Sequence, residues 1–363
     1  MPSSKIRVLV VDDSALVRDI LSRGLSADPA IEVIGTARDP FEARDILVRQ
    51  KPDVLTLDVE MPRMDGITFL KHYMHVLPTP TIMVSALTEA GARTTIRALE
   101  AGAIDFVTKP QLGIAGTLPE LIGELTAKVK MAATVKLAHH RHDNARGAPP
   151  PPLPVVQRTL DASTDKVVAI GCSAGGTQAL ARILPQLPAA MPGIAIVQHM
   201  PPGFTASLAQ RLDALCAIEV REASDGDRLR PGVALLAPGG DRQMSVARYG
   251  GQYLVRLASG PKVQSHCPSV DVLFRSIAAN VGAHTVAVLL TGMGKDGAEG
   301  LKLIRASGGR TFVQDEATSV VWGMPGMAWQ IGAAEAQLAL DAVPRALVDA
   351  VTSIGDDRVR RNG

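Results

Sequence analysis

Short runs of β-branched and small apolar residues alternate with longer amphipathic segments through most of the chain. That alternation constrains the fold more than any other feature. In the first third, Ile6–Val11, Ile31–Thr36, Val54–Leu57, Thr81–Val84 and Ile104–Val107 read as buried strands. Ser14–Ser26, Phe41–Arg49, Gly66–Met74, Glu89–Ala101 and Leu118–Lys136 read as the helices that follow them. Strands that are apolar on both faces need cover on both faces. Five such βα units with short loops therefore predict a parallel sheet between two helical layers.

The alternation stops at Lys136–Asp165, which contains HHRHDNARGAPPPPLP and no apolar period. A proline cluster without periodicity is the mark of an extended linker. His139, His140 and His142 lie in it, and a solvated basic linker is favoured there over a metal site. Beyond it the α/β pattern returns. Val167–Ile170, Ile194–Val197, Val233–Leu236, Val286–Leu290 and Thr311–Val313 read as strands, and Thr177–Leu184, Phe204–Leu215, Val270–Ala279 and Ala298–Ala306 as helices. Gly250-Gly251 divides a hairpin around Met244–Leu257. The expected organisation is a first domain over 1–130, a linker over 131–165, a second, doubly wound and mainly parallel α/β domain over 166–355, and a frayed charged tail over 356–363. At 363 residues and 46% hydrophobic content, both domains can bury a core.

Charge excludes some partners. Lys and Arg number 38 against 36 Asp and Glu, a net charge of +2, and aromatics are 3%. Neither a basic surface nor a base-stacking platform is expected, so nucleic acid is not a predicted partner. No run reaches the roughly 18 to 20 apolar residues of a membrane span, and the first residues do not form a signal peptide. Cys172, Cys216 and Cys267 have neither zinc spacing nor a disulfide framework. The reading is a cytoplasmic protein with no direct membrane insertion.

Acids collect at the strand ends of the first domain. Asp12 and Asp13 follow its first strand and Asp58 its third. In an open parallel sheet, ligands bind outside the carboxyl ends of the strands at a switch in strand order, and an order of 2-1-3-4-5 sets these three side by side. Capping accounts for Asp12 or Asp13 alone, but Asp58 opens no helix. Three neighbouring carboxylates call for a cation, and hard oxygen ligands favour Mg2+. Ser85 follows the fourth strand and Lys109 the fifth, a hydroxyl and an ammonium suited to a phosphoryl group. VVDDS, LDVEMPRMDG, VSA and KP stand in this order over about residues 5 to 130, and together they resemble the receiver domain of two-component response regulators, a flavodoxin-like fold. The resemblance implies phosphorylation at Asp58. It implies Mg2+ held by Asp12, Asp13, Asp58 and the backbone carbonyl of Glu60, with phosphoryl contacts from Ser85 and Lys109. Phe106 takes the family's aromatic switch position.

In the second domain, VVAIGCSAGGTQAL places one hydroxyl, Ser173, among glycines at a strand-to-helix turn. The glycines suit a phosphate cradle or a nucleophile elbow of the Gly-x-Ser-x-Gly kind. A dinucleotide fingerprint wants glycine at Ser173 and an acid after the next strand; Gln198 and His199 stand there instead. His199 and Asp296 also follow strands, so all three fall on one edge of one sheet. A serine needs a base to take its proton, a histidine is such a base near neutral pH, and a carboxylate fixes the imidazole's tautomer. Asp296 also reads as an ordinary helix cap. Cys172 has no base arranged for it and reads as a small packed residue.

IGCSAGGTQAL, VQHMPPGFTASLAQRLD, APGG, HCPSVDVLFRSIA, LTGMGKDGAEGL and QDEATSVVWGMP together resemble the CheB family of chemotaxis methylesterases. The resemblance covers nearly the whole chain apart from the linker. It implies a triad of Ser173, His199 and Asp296 with the Met293 backbone N–H in the oxyanion hole, and no cofactor for hydrolysis. It implies methyl-accepting chemoreceptor helices as substrate, demethylated at glutamyl methyl esters and deamidated at certain glutamines, and a chemotaxis histidine kinase as phosphodonor. It also implies that phosphorylation relieves inhibition of the esterase by the receiver. Ala174 stands where many relatives have threonine, and Cys267 where a basic residue is common. A non-catalytic adaptor is the rival reading, but an adaptor has no need of an assembled triad.

Overall fold

Val167–Cys172 and Gly193–Gln198 are buried at every position, as a central strand covered on both faces requires. The computed structural model describes residues 5–86, 88–109, 117–135 and 165–361, and it divides into two units, 1–145 and 146–363. The segment 136–164, which holds most of the linker expected over 131–165 and its histidines, lies outside the described residues.

In the first unit the elements are β1 (Ile6–Val11), α1 (Ala15–Ser26), β2 (Ile31–Ala37), α2 (Pro40–Gln50), β3 (Val54–Asp58), α3 (Gly66–Met74), β4 (Thr81–Ser85), α4 (Glu89–Glu100), β5 (Asp105–Thr108) and α5 (Thr117–Ala132). The strands form one parallel sheet in the order β2-β1-β3-β4-β5, as expected. Four of the loops that leave strand ends finish in a capping side chain. Ser14, Asp39, Asp65 and Thr88 each accept from a backbone N–H in the first turn of α1, α2, α3 and α4. Such a cap stabilises by about 1 kcal/mol and fixes where the loop enters the helix. Because Ser14 caps α1, neither Asp12 nor Asp13 is used for that purpose.

The second unit comprises β6 (Val167–Cys172), α6 (Gly176–Ile183), β7 (Gly193–Gln198), α7 (Phe204–Asp213), β8 (Glu219–Glu222), β9 (Val233–Leu236), β10 (Arg242–Tyr249), β11 (Gln252–Ser259), α8 (Val270–Asn280), β12 (Thr285–Leu289), α9 (Ala298–Ala306), β13 (Arg310–Gln314), α10 (Met324–Gln330), β14 (Ala336–Leu338) and α11 (Val343–Arg361). Seven strands pair in parallel in the order β14-β13-β12-β6-β7-β9-β8, and β10 and β11 form a separate antiparallel hairpin turning at Gly250-Gly251. β6 lies between β7 and β12, so the chain leaves it in one direction and returns on its other side. That reversal opens a crevice at the carboxyl ends of β6, β7 and β12.

β8, β14, α10 and α11 were not expected. The edge strand β8 reads Glu-Val-Arg-Glu with only Val220 buried, and charge on an edge hides the apolar signal while it blocks further pairing. α10 opens as Met-Pro-Gly, which reads as a loop. α11 continues through Arg361, into the segment expected as a charged tail. α5 stops at Ala132, short of the expected Lys136.

Candidate functional site

The first cluster gathers at the ends of β1, β3 and β5. The Lys109 ammonium lies 2.9 Å from Asp12 Oδ2 and 2.8 Å from Asp58 Oδ2. Asp12 and Asp58 are buried and Asp13 is exposed, and one oxygen from each lies within 4.8 Å of the others. Oxygen donors this close, with one acid open to solvent, fit a hard divalent cation such as Mg2+. Burial pushes the Asp58 carboxyl up to about 6, and the Asp12 charge adds to that, while Lys109 and the Glu60 N–H pull it down. Burial works against the Lys109 ammonium, but its bonds to Asp58 and Asp12 outweigh that, and its pKa ends above the ordinary value. Glu60 donates its N–H to Asp58 Oδ1 at 3.2 Å and shares with Asp13 the lining of a cavity of about 630 Å3. Ser85 is fully buried, its hydroxyl 2.7 Å from that of Thr95 on α4, and its carbonyl accepts from the Lys109 N–H at 2.7 Å. Phe106 is buried beneath the Lys128 ammonium, 5.5 Å from the ring centroid.

The second cluster occupies the crevice of the seven-stranded sheet. Cys172 and Gln198 are paired residues at the ends of β6 and β7, so Ser173 and His199 leave neighbouring strands side by side. The Ser173 N–H donates to the Thr291 carbonyl at 3.0 Å, and its own carbonyl accepts from Gln198 Nε2 at 3.0 Å. Two glycines permit this closeness. A Cβ on Gly176 would sit 2.1 Å from Gln198 Oε1, and one on Gly292 would sit 2.8 Å from the Ser173 Cβ. Met293 follows Gly292, and its side chain is exposed.

His199 and Asp296 are joined. His199 Nε2 lies 2.7 Å from Asp296 Oδ2. Asp296 is fully buried at the start of α8, where Oδ1 accepts from the Ser269 hydroxyl (2.7 Å) and the Asp271 N–H (3.0 Å) and Oδ2 also accepts from the Val270 N–H (2.7 Å). Burial alone would raise its pKa, but the bond to His199 and these donors outweigh it and hold the carboxyl below its usual range. Asp296 is therefore the carboxylate form at neutral pH, and His199 Nε2 carries the proton between them. The His199 Nδ1 is left buried without a hydrogen bond among the described residues.

The expected residues thus fall into two groups. Asp12, Asp58 and Lys109 are in contact, with Asp13, Glu60 and Ser85 around them. His199 and Asp296 are in contact, with Ser173 on the adjacent strand end. Asp296 does not cap α9: Gly297 occupies the cap position, and the Asp271 side chain accepts the Gly300 N–H at 2.7 Å. Cys172 is fully buried and burial pushes its thiol far above the ordinary range, as expected of a packed residue. Sequence reasoning missed the brace around Asp296. Ser269 stands just before the helix expected from Val270, and buried Gln243 on β10, which accepts from the Ser269 N–H at 2.8 Å, carried no local signal.

A CheB methylesterase family model matches residues 168–347, and a response regulator receiver domain model matches residues 8–114. The chain is 54% identical over 346 residues to the protein-glutamate methylesterase/protein-glutamine glutaminase of Syntrophotalea carbinolica, covering 95% of this chain and 97% of that one. It is 51% identical to protein-glutamate methylesterase/protein-glutamine glutaminase 2 of Pseudomonas aeruginosa, covering 94% and 96%. The crystal structure of the Thermotoga maritima CheB methylesterase catalytic domain superimposes with a TM-score of 0.50 at 39% identity, covering 51% of this chain and 97% of that chain. Among the described residues no helix is long and apolar enough to cross a membrane.

Proposed function

The chain belongs to the CheB methylesterase family and carries a response regulator receiver domain ahead of the methylesterase domain, and from that premise we propose that Ser173, His199 and Asp296 hydrolyse glutamyl methyl esters on chemoreceptors under the control of Asp58. The protein is a protein-glutamate methylesterase and protein-glutamine glutaminase. The assignment of its residues rests on the 2.7 Å bond between His199 Nε2 and Asp296. With Nε2–H donated to Asp296, the lone pair on Nδ1 is the base that takes the proton from Ser173 Oγ.

Ser173 Oγ then bonds to the ester carbonyl carbon, and the Met293 N–H receives the oxygen as charge develops on it. The imidazolium on His199 is stabilised by the Asp296 carboxylate and returns its proton to the departing methoxide, which leaves as methanol. Water, deprotonated by the same Nδ1, cleaves the acyl-serine to glutamate. An amide meets the same sequence with ammonia as leaving group, which accounts for glutamine as a second substrate class.

In the receiver, Asp58 is the carboxylate that accepts a phosphoryl group, supplied by a histidine kinase. Mg2+ held by Asp12, Asp13, Asp58 and the Glu60 carbonyl would neutralise charge between the acids and the phosphoryl oxygens. Lys109 sits within ion-pair reach of Asp58 to meet the new negative charge, and Ser85 and Phe106 carry the change to the receiver surface. The test is mass spectrometry of methylated chemoreceptor fragments incubated with the protein, with and without a small phosphodonor and Mg2+. Demethylation that accelerates with the phosphodonor is expected; methylated fragments left intact in both arms contradict the reading.

A further inference from the structure

His266 stands outside the triad, and nothing above gives it a role. Its ring lies face to face on that of His199, with centroids 3.7 Å apart and planes within 6°. We infer that His266 is a positioning residue that fixes the plane of the catalytic imidazole by stacking on it. The inference rests on the hydrolytic reading of Ser173 and His199.

The chain holds His266 in place with unusual care. It closes a turn in which the His266 N–H donates to the Val263 carbonyl (2.9 Å) and the Val263 N–H to the His266 carbonyl (3.0 Å). The two residues between, Gln264 and Ser265, sit at φ of 49° and 69°. Left-handed backbone without glycine is strained, and it persists where the surroundings over-determine it. Gln243 supplies that over-determination. Its Nε2 donates to the Pro261 carbonyl (3.0 Å) and the His266 carbonyl (3.3 Å), while its Oε1 accepts from the Ser269 N–H (2.8 Å). One buried amide therefore ties the turn bearing His266 to the cap residue that binds Asp296. Both constraints on His199, its partner at the ring edge and its neighbour at the ring face, hang from the same side chain.

The bond to Asp296 leaves the imidazole free to swing about the Nε2–Oδ2 line, and a ring packed on its face stops that swing. It thereby keeps the Nδ1 lone pair aimed at one point. The ring face also carries negative potential, which favours the imidazolium formed during the reaction. His199, His266 and Asp296 have donor atoms within 4.8 Å of one another, the spacing of a metal site. Imidazole lone pairs lie in the ring plane, however, and two parallel planes cannot share an ion between them. The stack fits a packing role and not chelation.

The test compares His266→Ala, His266→Gln and His266→Phe in the full-length chain, reading kcat and KM for methanol release and thermal melting for fold. Phenylalanine keeps a flat ring and loses both nitrogens; glutamine keeps polarity and loses the ring. The expected result is a kcat lower by about ten- to a hundredfold in the alanine and glutamine variants at unchanged KM, the size of effect that small misplacement of a catalytic group produces, with most of kcat restored by phenylalanine. Glutamine active and phenylalanine inactive, or alanine with undiminished kcat, overturns the inference. The comparison of glutamine with phenylalanine decides even where alanine fails to fold. A wild type that releases no methanol overturns the hydrolytic reading and this inference together, whereas an active wild type with the wrong order of variants overturns this inference alone.

Discussion

Asp58 and Asp296 are both carboxylates buried at the carboxyl end of a parallel sheet, yet their surroundings drive them in opposite directions. Asp58 has one backbone donor at 3.2 Å, one ammonium at 2.8 Å, and the like charge of Asp12 close by. Burial wins there and its pKa rises. Asp296 has a hydroxyl, two N–H groups at the start of α8 and an imidazole, all within 3.0 Å. Hydrogen bonding wins there and its pKa falls. In the roles proposed here, a carboxylate that is to take on a cation and a phosphoryl group is left short of donors. One that is to hold a tautomer and oppose an imidazolium is given all it can accept. The two sheets offer the same strand-end location, and what differs is how many donors the neighbouring loops and helix starts aim at the carboxylate.

The largest effects should come from the second site. Ser173→Ala and His199→Ala should each lower kcat for methanol release by about 10^4 to 10^6, since members of a triad act as a unit. Turnover near the wild-type rate in the serine variant would remove the nucleophile from the account. In the first site, Asp58→Asn should abolish phosphate incorporation from a small phosphodonor, and chelation of Mg2+ should do the same to the wild type. Equal incorporation at another residue would show that Asp58 is not the under-satisfied carboxylate that matters.

Next in size is Asp296→Asn. It preserves shape but offers the imidazole an amide, and it should cost about one or two decades less than loss of the serine. A neutral effect on kcat, measured at constant KM, would reduce Asp296 to a structural role. The smallest effect belongs to Cys172. Burial keeps its thiol protonated at pH 8, so it should resist alkylation in the native protein, as followed by peptide mass mapping. Cys172→Ala should leave methanol release close to wild type.

Much of this was legible because parallel α/β folds write their sites at strand ends. Each strand core was a run of buried apolar residues, and whatever polar residue followed it was marked by position. That is how Asp12, Asp58, Lys109, Ser173, His199 and Asp296 stood out. What could not be read was support from a distance. Gln243 lies in a hairpin strand and braces Ser269, 26 residues away. His266 precedes the helix whose start receives Asp296, and only the fold shows its ring on His199. Edge elements escaped for the opposite reason: β8 is charged and β14 is three residues long, so neither carries the apolar period of a central strand.

The proposed coupling joins a phosphorylatable carboxylate to a serine esterase in one chain. It is tested most directly by following methyl ester loss from chemoreceptor fragments by mass spectrometry, in wild type, Asp58→Asn and Ser173→Ala, each with and without phosphodonor. The account predicts that the phosphodonor accelerates wild type, that Asp58→Asn demethylates at a rate the phosphodonor does not change, and that Ser173→Ala is inactive throughout. A phosphodonor response that survives in Asp58→Asn, or demethylation that survives in Ser173→Ala, would contradict it.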